Sequence, residues 1–356
     1  MNQFRLHVDE FNRRKLTFPE DIQGAFAGIT TLLSRSFYGG FLFGLPLLFF
    51  DIALCWQPFS CGIRRQPSTD LSAAKASLPS WSWMGWETKG ISWAFYPGRP
   101  KTISIVQWHS QNFDSSELEI IDGPQIVQAL ISEAQENEYV VPKGWKRFEY
   151  GPLQPPDRNV FQSLEINNHK YFFKHESEPG SIYDCPLPTR EAPSIASMDA
   201  PLPPLPRNSL LYCRTRKATF HMTKMSRIKK KNGIIVTELY YQLQDQQSHW
   251  AGIIQSTAEC WHYHHDETGQ HLIPSDEVAG DLVIVCESYS VEGVYETFVE
   301  WEFEERPKGP TGSKYEYYNV LWVEWDDGIA YRKGCGRVMK SVCDALEPEW
   351  IDLTLG

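Results

Sequence analysis

Three tryptophans, Trp81, Trp83 and Trp86, stand within six residues of one another, and this segment constrains the fold more than any other. On a β-strand, alternate side chains share a face, so an extended segment places Trp81 and Trp83 side by side. Two adjacent indoles either fill a core or form a platform for a ligand. The alternating residues 91–96 follow a turn signal, which predicts a β-hairpin between the two segments.

Length and charge set the broad class of the chain. At 356 residues it exceeds the usual size of a single hydrophobic core. We expect a helical segment over residues 1–77 that ends in a polar linker, and a β-rich region over residues 78–356 with a proline-rich loop at about 183–206. Because the net charge is −11, the chain lacks the basic character of a general nucleic-acid binder, and no nucleic-acid partner is predicted.

The cysteines and the first residues of the chain indicate the cellular compartment of the protein. The eight cysteines include no CxxC pair, and the first residues lack the apolar core of a signal peptide. The absence of a signal peptide and of any N-x-[ST] sequon favours a cytoplasmic protein with reduced thiols. Residues 37–56 carry no charge except Asp51, but glycines and Pro46 interrupt them. A membrane span needs about 20 continuous apolar residues, so none is predicted.

The clearest helix signal lies near the start of the chain. Residues 17–20, Thr-Phe-Pro-Glu, match a capping box with proline in the first turn, which predicts a helix beginning there. The apolar residues that follow recur at helical spacing and form one stripe: Ile22, Phe26, Ile29 and Leu33. A buried helix from about Leu47 to Trp56 is the expected partner for this stripe.

From Pro79 onward the hydrophobic period changes to two, the period of β-strands. Residues 297–304 predict a half-buried strand whose polar face carries Glu300. Residues 319–325 and 329–332 flank the turn Asp326-Asp327-Gly328 and predict a hairpin. The expected fold class is α+β, with a small helical N-terminal segment packed on a larger antiparallel β region that is a sandwich or a barrel.

One segment combines several potential metal ligands. If it is extended, Cys260, His262 and His264 share a face, and zinc sites use the His-x-His spacing because both imidazoles then converge. A zinc centre needs at least three ligands in fixed geometry, and histidines on surface strands often bind no metal. We therefore predict no metal site, with these three residues as the candidates to check.

Pairs of acidic residues offer a second chemical interpretation. Glu300 with Glu302, or Glu324 with Asp326, would flank a glycosidic bond beside stacking tryptophans in a sugar hydrolase. Alternating glutamates are more often the polar face of a strand. Since no nucleophile, Walker or complete dinucleotide motif is present, the sequence predicts no catalytic residue and no cofactor. A carbohydrate-binding or glycoside-cleaving protein and a histidine-based metalloprotein remain alternatives.

Short motifs toward both ends of the chain resemble a known family. They include R-K-L-T at 14–17, G-L-P at 44–46, P-S-W-S-W-M-G-W at 79–86 and G-I-A-Y-R-K-G at 328–334. In this order they are similar to the downstream half of fungal heterokaryon-incompatibility (HET) domain proteins. The residues that carry the resemblance, called the motif residues below, are Arg14, Thr17, Asp21, Gly44, Pro46, Trp56, Pro79, Trp81, Trp83, Gly85, Trp86, Trp322, Trp325, Gly328, Tyr331, Arg332 and Gly334.

The resemblance implies a role in nonself recognition and in cell death after hyphal fusion. Proteins of this family normally begin with the HET domain, which has a serine motif with tyrosine and tryptophan near its start and a Trp-x-x-Arg-x-Trp-type motif near its end. Neither occurs here, so the chain is expected to be a C-terminal, accessory portion without the effector activity. It would then act by contacts with a protein partner or an upstream HET domain, and the apolar stripe within residues 17–35 is the expected docking surface.

Overall fold

The computed structural model describes residues 2–34, 37, 39–58, 62–65, 78–88, 90–93, 101–111, 117–127, 141, 144–149, 171–183, 209–231, 234–245, 247–258, 277–292, 300 and 303–356. The N-terminal part has short helices and very short strands: α1 (Asn2–Asn12), α2 (Ile22–Leu33), β1 (Phe41–Leu42), β2 (Leu45–Pro46), α3 (Phe50–Leu54), β3 (Gln57–Pro58), β4 (Ile63–Arg64), β5 (Trp86–Glu87) and β6 (Ile91–Ser92). Turns of 3-10 helix lie at Pro19–Asp21, Leu47–Phe49 and Trp83–Gly85.

Thirteen further strands lie after Ser92 in the described part of the chain. They are β7 (Lys101–Ser104), β8 (Trp108–Gln111), β9 (Leu118–Ile121), β10 (Trp145–Glu149), β11 (Tyr171–His175), β12 (Glu178–Tyr183), β13 (Leu211–Lys231), β14 (Ile234–Gln244), β15 (Trp250–Ser256), β16 (Glu277–Val291), β17 (Lys314–Asp326), β18 (Ile329–Met339) and β19 (Glu349–Leu355). A short helix, α4 (Lys340–Ala345), lies between β18 and β19.

Six of these strands close into an antiparallel barrel, in the order β13, β14, β15, β18, β17, β16 and back to β13. Closure depends on β13, whose residues His221 to Thr223 pair with β14 on one edge and with β16 on the other. Side chains such as Phe220, Met222, Leu282 and Trp322 pack together inside, so the barrel has a filled core. The predicted α+β class is confirmed, and its β region is a barrel rather than a sandwich.

Further strands extend the barrel wall. β19 continues along the β13 edge that β14 occupies further on, and β8 pairs with β13 on the opposite edge, the one that β16 occupies. β7 adds to β16, and β9 adds to β8. A separate three-stranded sheet, β10–β11–β12, has its own small core around Trp145 and Phe173.

The helices form a layer against the outer wall of the barrel. A single hydrophobic cluster contains Phe26 of α2, Phe50 of α3, and Val283 and Leu353 of the β region. In the described part of the chain the longest helix, α2, has 12 residues, and no helix is long and apolar enough to cross a membrane.

The apolar stripe of α2 is covered, contrary to the expectation that it is a docking surface. Ile22 and Phe26 are fully buried, and Ile29 and Leu33 pack on the same cluster. The Phe26 ring lies 4.8 Å from that of Phe11 in α1 and 5.1 Å from the Trp83 ring. The stripe therefore faces α1 and the tryptophan segment, which sequence periodicity does not identify.

The helix predicted to begin near Thr17 is present with proline in its first turn, but the predicted capping box does not form. A 3-10 turn at Pro19–Asp21 precedes the helix, which begins at Ile22, and neither the turn nor the helix has a side-chain cap. Thr17 is exposed and lies too far from Ile22 to cap it. The buried helix predicted from about Leu47 to Trp56 is present in shorter form, as a 3-10 turn followed by α3.

The hairpin predicted from the tryptophan segment is absent from the described residues. Ser82 Oγ accepts a hydrogen bond from Met84 N (3.0 Å) and starts a 3-10 turn at Trp83–Gly85. This local hydrogen bond competes with an extended backbone. β5 then pairs with β4, and β6 pairs with β3, so the tryptophans are distributed over a compact turn and not along one strand.

The hairpin predicted at residues 326–329 is confirmed. Asp326 pairs with Ile329, and Asp327 (φ 47°) and Gly328 (φ 77°) form the turn with positive φ angles. Most of the strand predicted at 297–304 lies outside the described residues. Glu300, which was predicted on its polar face, is fully buried because it pairs with Arg337.

Candidate functional site: the tryptophan seam

Five tryptophans lie between the helical layer and the barrel wall, and we call them the tryptophan seam: Trp56, Trp81, Trp83, Trp86 and Trp93. Each is 0–5% exposed. Burying indoles contributes strongly to stability because each removes a large apolar area from water. A ligand platform formed by Trp81 and Trp83, one of the two interpretations of the sequence, is excluded by their complete burial.

Every indole N–H of the seam donates to a backbone carbonyl. The hydrogen bonds run from Trp56 to Trp81 O (2.8 Å), Trp81 to Ser209 O (2.9 Å), Trp83 to Gly44 O (3.1 Å), Trp86 to Ser80 O (2.8 Å) and Trp93 to Ala53 O (3.0 Å). A buried polar group without a partner is costly, so these bonds fix each ring in one orientation. The seam is a structural core with directional contacts.

Arg332 of β18 lies at the centre of the seam and is buried (2% exposed). Its guanidinium donates to Leu54 O (2.6 Å) and to Trp56 O, and it lies 4.0 Å from the centre of the Trp56 ring. Burial lowers the pKa of Arg332 from its ordinary value. The carbonyls of Leu54 and Trp56 and the face of the Trp56 indole thus stabilise the buried Arg332 charge. These contacts join the helical layer to the barrel.

Ser80 connects the seam to the end of β19. Its backbone N–H and its hydroxyl both donate to Gly356 O, and its hydroxyl oxygen accepts the Arg332 N–H (2.8 Å). Gly356 N in turn donates to Ala330 O (2.9 Å). Three segments that are far apart in sequence therefore meet at one serine.

Two motif glycines permit the close packing of the seam. Gly44 has φ 73°, and a Cβ there would lie 2.7 Å from the Trp83 ring. At Gly85 a Cβ would lie 2.2 Å from Pro79 O and from the Arg64 guanidinium. Only glycine fits both positions without displacing a neighbour, which gives a physical reason for these two motif residues.

The structure gathers only part of the motif set at the seam. Pro46, Pro79 and Gly334 are buried near it, and Tyr331 is half-buried. Arg14, Thr17 and Asp21 are exposed on the helical layer, and Trp322 lies inside the barrel. Trp325 (38% exposed) and Gly328 lie at the open end of the β17–β18 hairpin.

Sequence reasoning missed the most unusual titratable group, Asp51 of α3. It is 2% exposed, and Trp108 Nε1 donates to its Oδ1 (3.0 Å). Burial raises the pKa of Asp51 to about 7, against the opposing hydrogen bonds of Ser104 and Trp108. The signal was present in the sequence, because Asp51 is the single charge in the apolar stretch 37–56.

A small cavity with a mixed, mainly apolar lining lies between the end of α3 and the barrel wall. Its volume is about 10 Å³, which is room for about one water molecule and far below the size of a substrate pocket. Polar and thiol side chains line it, among them Cys55, Gln57, Ser288, Asn319, Cys335 and Arg337. The cavity is suited to small molecules of the size of water.

The geometry of the described residues supports neither a metal site nor an acidic pair for glycoside cleavage. Within them, no group of three or more His, Cys, Asp or Glu side chains is placed to hold a metal, and Cys260, His262 and His264 lie outside the described part, as does Glu302. Glu300 is held by Arg337 (Nη2 to Oε2, 2.8 Å). Glu324 and Asp326 are exposed at the hairpin end.

Comparison with known proteins adds no relative, since no family model, curated protein or solved structure matches this chain. Functional inference therefore starts from the motif residues and the surfaces around the seam.

Proposed function

We propose that this chain is the accessory, C-terminal region of a fungal heterokaryon-incompatibility protein, which contributes to nonself recognition and cell death in the cytoplasm through protein contacts and not through catalysis. The motif residues support the family. The seam supports a scaffold role, because its tryptophans and Arg332 serve to hold two layers together. What a scaffold of this kind needs in addition is a surface for its partner.

The outer face of α2 is the observation that carries the proposal. The helix has no charged residue over its 12 positions, although the face opposite its buried stripe is open to solvent. Gly24, Ala25, Gly28 and Leu32 are exposed there, Leu32 to 60%. A surface helix normally carries charged residues on its outer face, so an uncharged outer face indicates a contact surface.

The shape of this face fits a second helix or a flat protein surface. A Cβ placed at Gly24 or Gly28 would meet nothing within 4 Å, so the backbone itself is accessible to a partner. Small residues let two backbones approach closely, and Leu32 adds an apolar anchor. Leu6 of α1 (54% exposed) and Phe18 (53% exposed) are further exposed apolar side chains in the N-terminal segment. The docking surface is thus the outer side of α2, opposite the predicted stripe.

A binding measurement tests the proposal. The HET domain of a family member, made as a separate chain, is titrated into this protein and followed by calorimetry. We expect binding, and we expect Leu32→Glu to weaken it at least about 10-fold, since burying an unpaired charge in an apolar contact costs more than 1.4 kcal/mol. Leu118→Glu, at a residue of β9 that is 49% exposed, is the matched control and should bind as the parent does.

A cellular experiment tests whether cell death requires the HET domain in addition to this chain. Expressed alone in a fungal host, this chain should leave hyphae viable, and co-expression with the HET domain should restore a cell-death phenotype that Leu32→Glu reduces. Cell death caused by the chain alone would contradict an accessory role. Absence of any HET-domain binding would remove the proposed docking surface.

A further inference from the structure

Three of the described cysteines lie at or close to the cavity at the end of α3. Cys55 and Cys335 line it directly, and Cys286 of β16 receives a hydrogen bond from the cavity residue Asn319 (Nδ2 to Sγ, 3.3 Å). α3 packs on β16, and the Cys286 side chain hydrogen-bonds with that of Cys55. The cavity of the size of one water is therefore lined by a thiol of the helical layer that neighbours a thiol of the barrel.

The environments of the two thiols differ in ways that assign them different roles. Cys55 is partly exposed, whereas Cys286 is buried. Burial, the neighbouring Cys55 thiol and the Asp51 carboxylate all raise the pKa of Cys286, against the Asn319 hydrogen bond. Cys286 therefore stays protonated and does not react first.

Cys55 is the thiol that an oxidant reaches. The carbonyls of its chain neighbours Leu54 and Trp56 both accept hydrogen bonds from the Arg332 guanidinium, which places a buried positive charge near this cysteine. Cys55 is also partly exposed and lines the cavity, so a small oxidant has access to its sulfur. Cys55 and Cys335 each direct their Sγ–H at a backbone carbonyl, Asp51 O (3.3 Å) and Trp56 O (3.2 Å), and Cys286 is the cysteine whose side chain hydrogen-bonds with Cys55.

We propose that Cys55 and Cys286 form a peroxide-sensitive pair that closes to a disulfide between the helical layer and the barrel. The Cys55 thiolate attacks one oxygen of hydrogen peroxide and becomes a sulfenic acid, and the hydroxide that leaves takes a proton to form water. The sulfur of Cys286 then attacks the sulfenic sulfur, loses its proton and displaces a second water. Two thiols and one peroxide thus give one disulfide and two waters.

The crosslink would change how firmly the two layers are joined. In the reduced chain the layers are held by the noncovalent contacts of the seam, whereas the disulfide ties the end of α3 to β16 and restricts the unfolded chain over a long loop. This inference is independent of the proposed function, because it requires neither a HET domain nor a partner.

Peptide mapping of the oxidised protein tests the pair. The reduced full chain is treated with a small molar excess of hydrogen peroxide, free thiols are alkylated, and the protein is digested without reductant. We expect a linked peptide pair containing Cys55 and Cys286, and a melting temperature higher by roughly 5 °C that a thiol reductant reverses. Cys55→Ser and Cys286→Ser should each abolish the shift, while Cys213→Ser and Cys343→Ser, at buried cysteines elsewhere, should retain it.

A chemical probe keeps the test valid if Cys286→Ser folds poorly. A sulfenic-acid trapping reagent added during oxidation of the parent chain should label Cys55 before Cys286. Labelling of Cys286 first, a Cys55–Cys335 link, links only between chains, or no link at all would each overturn the proposal. Cys335→Ser provides the direct check, because it should leave the Cys55–Cys286 link unchanged.

Discussion

The Arg332 guanidinium stacks 4.0 Å from the centre of the Trp56 ring while donating to the carbonyl of the same tryptophan. One residue of the barrel thereby uses both the face and the backbone of one residue of the helical layer. A planar fork of donors and a delocalised charge are required for this arrangement.

Replacing Arg332 by lysine should therefore destabilise the protein although it keeps the charge. An ammonium cannot reach Leu54 O and Trp56 O together, and it is more strongly hydrated than a guanidinium. We expect the free energy of unfolding to fall by about 2–4 kcal/mol in urea titrations. Arg13→Lys, at an exposed arginine paired with Asp9, should change it by less than about 0.5 kcal/mol, and equal effects of the two substitutions would contradict the role given to Arg332.

Asp51 should make stability fall as pH rises. Burial raises its folded pKa to about 7 from 3.8, so between these values the folded state holds a proton that the unfolded state has released. Stability then declines through this window, by at most about 4 kcal/mol, and is flat above it. Urea titrations across the window should show this decline in the parent and its absence in Asp51→Asn.

Asp281 should contribute a pH dependence of stability opposite to that of Asp51. Burial alone would raise its pKa, but hydrogen bonds from Thr219 and Trp325 and the Lys217 charge lower it overall. Its contribution is therefore present above the unfolded pKa and is lost as pH falls through the folded value. Asp281→Asn should reduce stability at neutral pH and have little effect in acid. A neutral-pH loss for Asp51→Asn as well would refute the assignment of a raised pKa to Asp51.

The buried pair of Glu300 and Arg337 should show strong coupling. Glu300 is fully buried and Arg337 nearly so, and removing one partner leaves the other charge without its counterion. Glu300→Leu should cost about 3–5 kcal/mol of unfolding free energy, whereas the double substitution Glu300→Leu with Arg337→Met should cost less. A double-mutant cycle measures the coupling, and additive effects would show that the two side chains act independently.

Two glycines provide a matched pair of substitutions with opposite outcomes. At Gly44 a new Cβ would meet the Trp83 ring at 2.7 Å with φ at 73°, so Gly44→Ala should destabilise by more than about 1 kcal/mol. At Gly28, on the open face of α2, nothing lies within 4 Å. Gly28→Ala should therefore stabilise by about 0.5–1 kcal/mol, as alanine favours helix. Thermal unfolding distinguishes the two directions.

The sequence predicts features that depend on neighbouring residues better than those that depend on distant ones. The turn at Asp327-Gly328 needs only local positive φ angles, and it was predicted correctly. The tryptophan hairpin was not, because one Ser82 hydrogen bond redirects the backbone. Glu300 has the sequence setting of a surface residue, and only the fold brings Arg337 to it.

In the candidate site, too, features set by neighbouring residues were predicted better than features set by distant ones. The period of α2 identified its buried stripe, but nothing in that segment indicates that α1 and Trp83 cover it. The lone charge of Asp51 in an apolar stretch was a usable signal. The pairing of Cys55 with Cys286 was not visible, because it results from packing α3 on β16.

Closure of the barrel through β13 has a kinetic consequence. The contact between His221 and Ala279 joins segments separated by several strands, and the ring is incomplete until it forms. Before that moment the unjoined edges of β13 and β16 expose backbone N–H and C=O groups that can pair with another chain. Because such distant pairings form slowly, refolding yield should decrease with protein concentration even though the native barrel has paired strands throughout its ring.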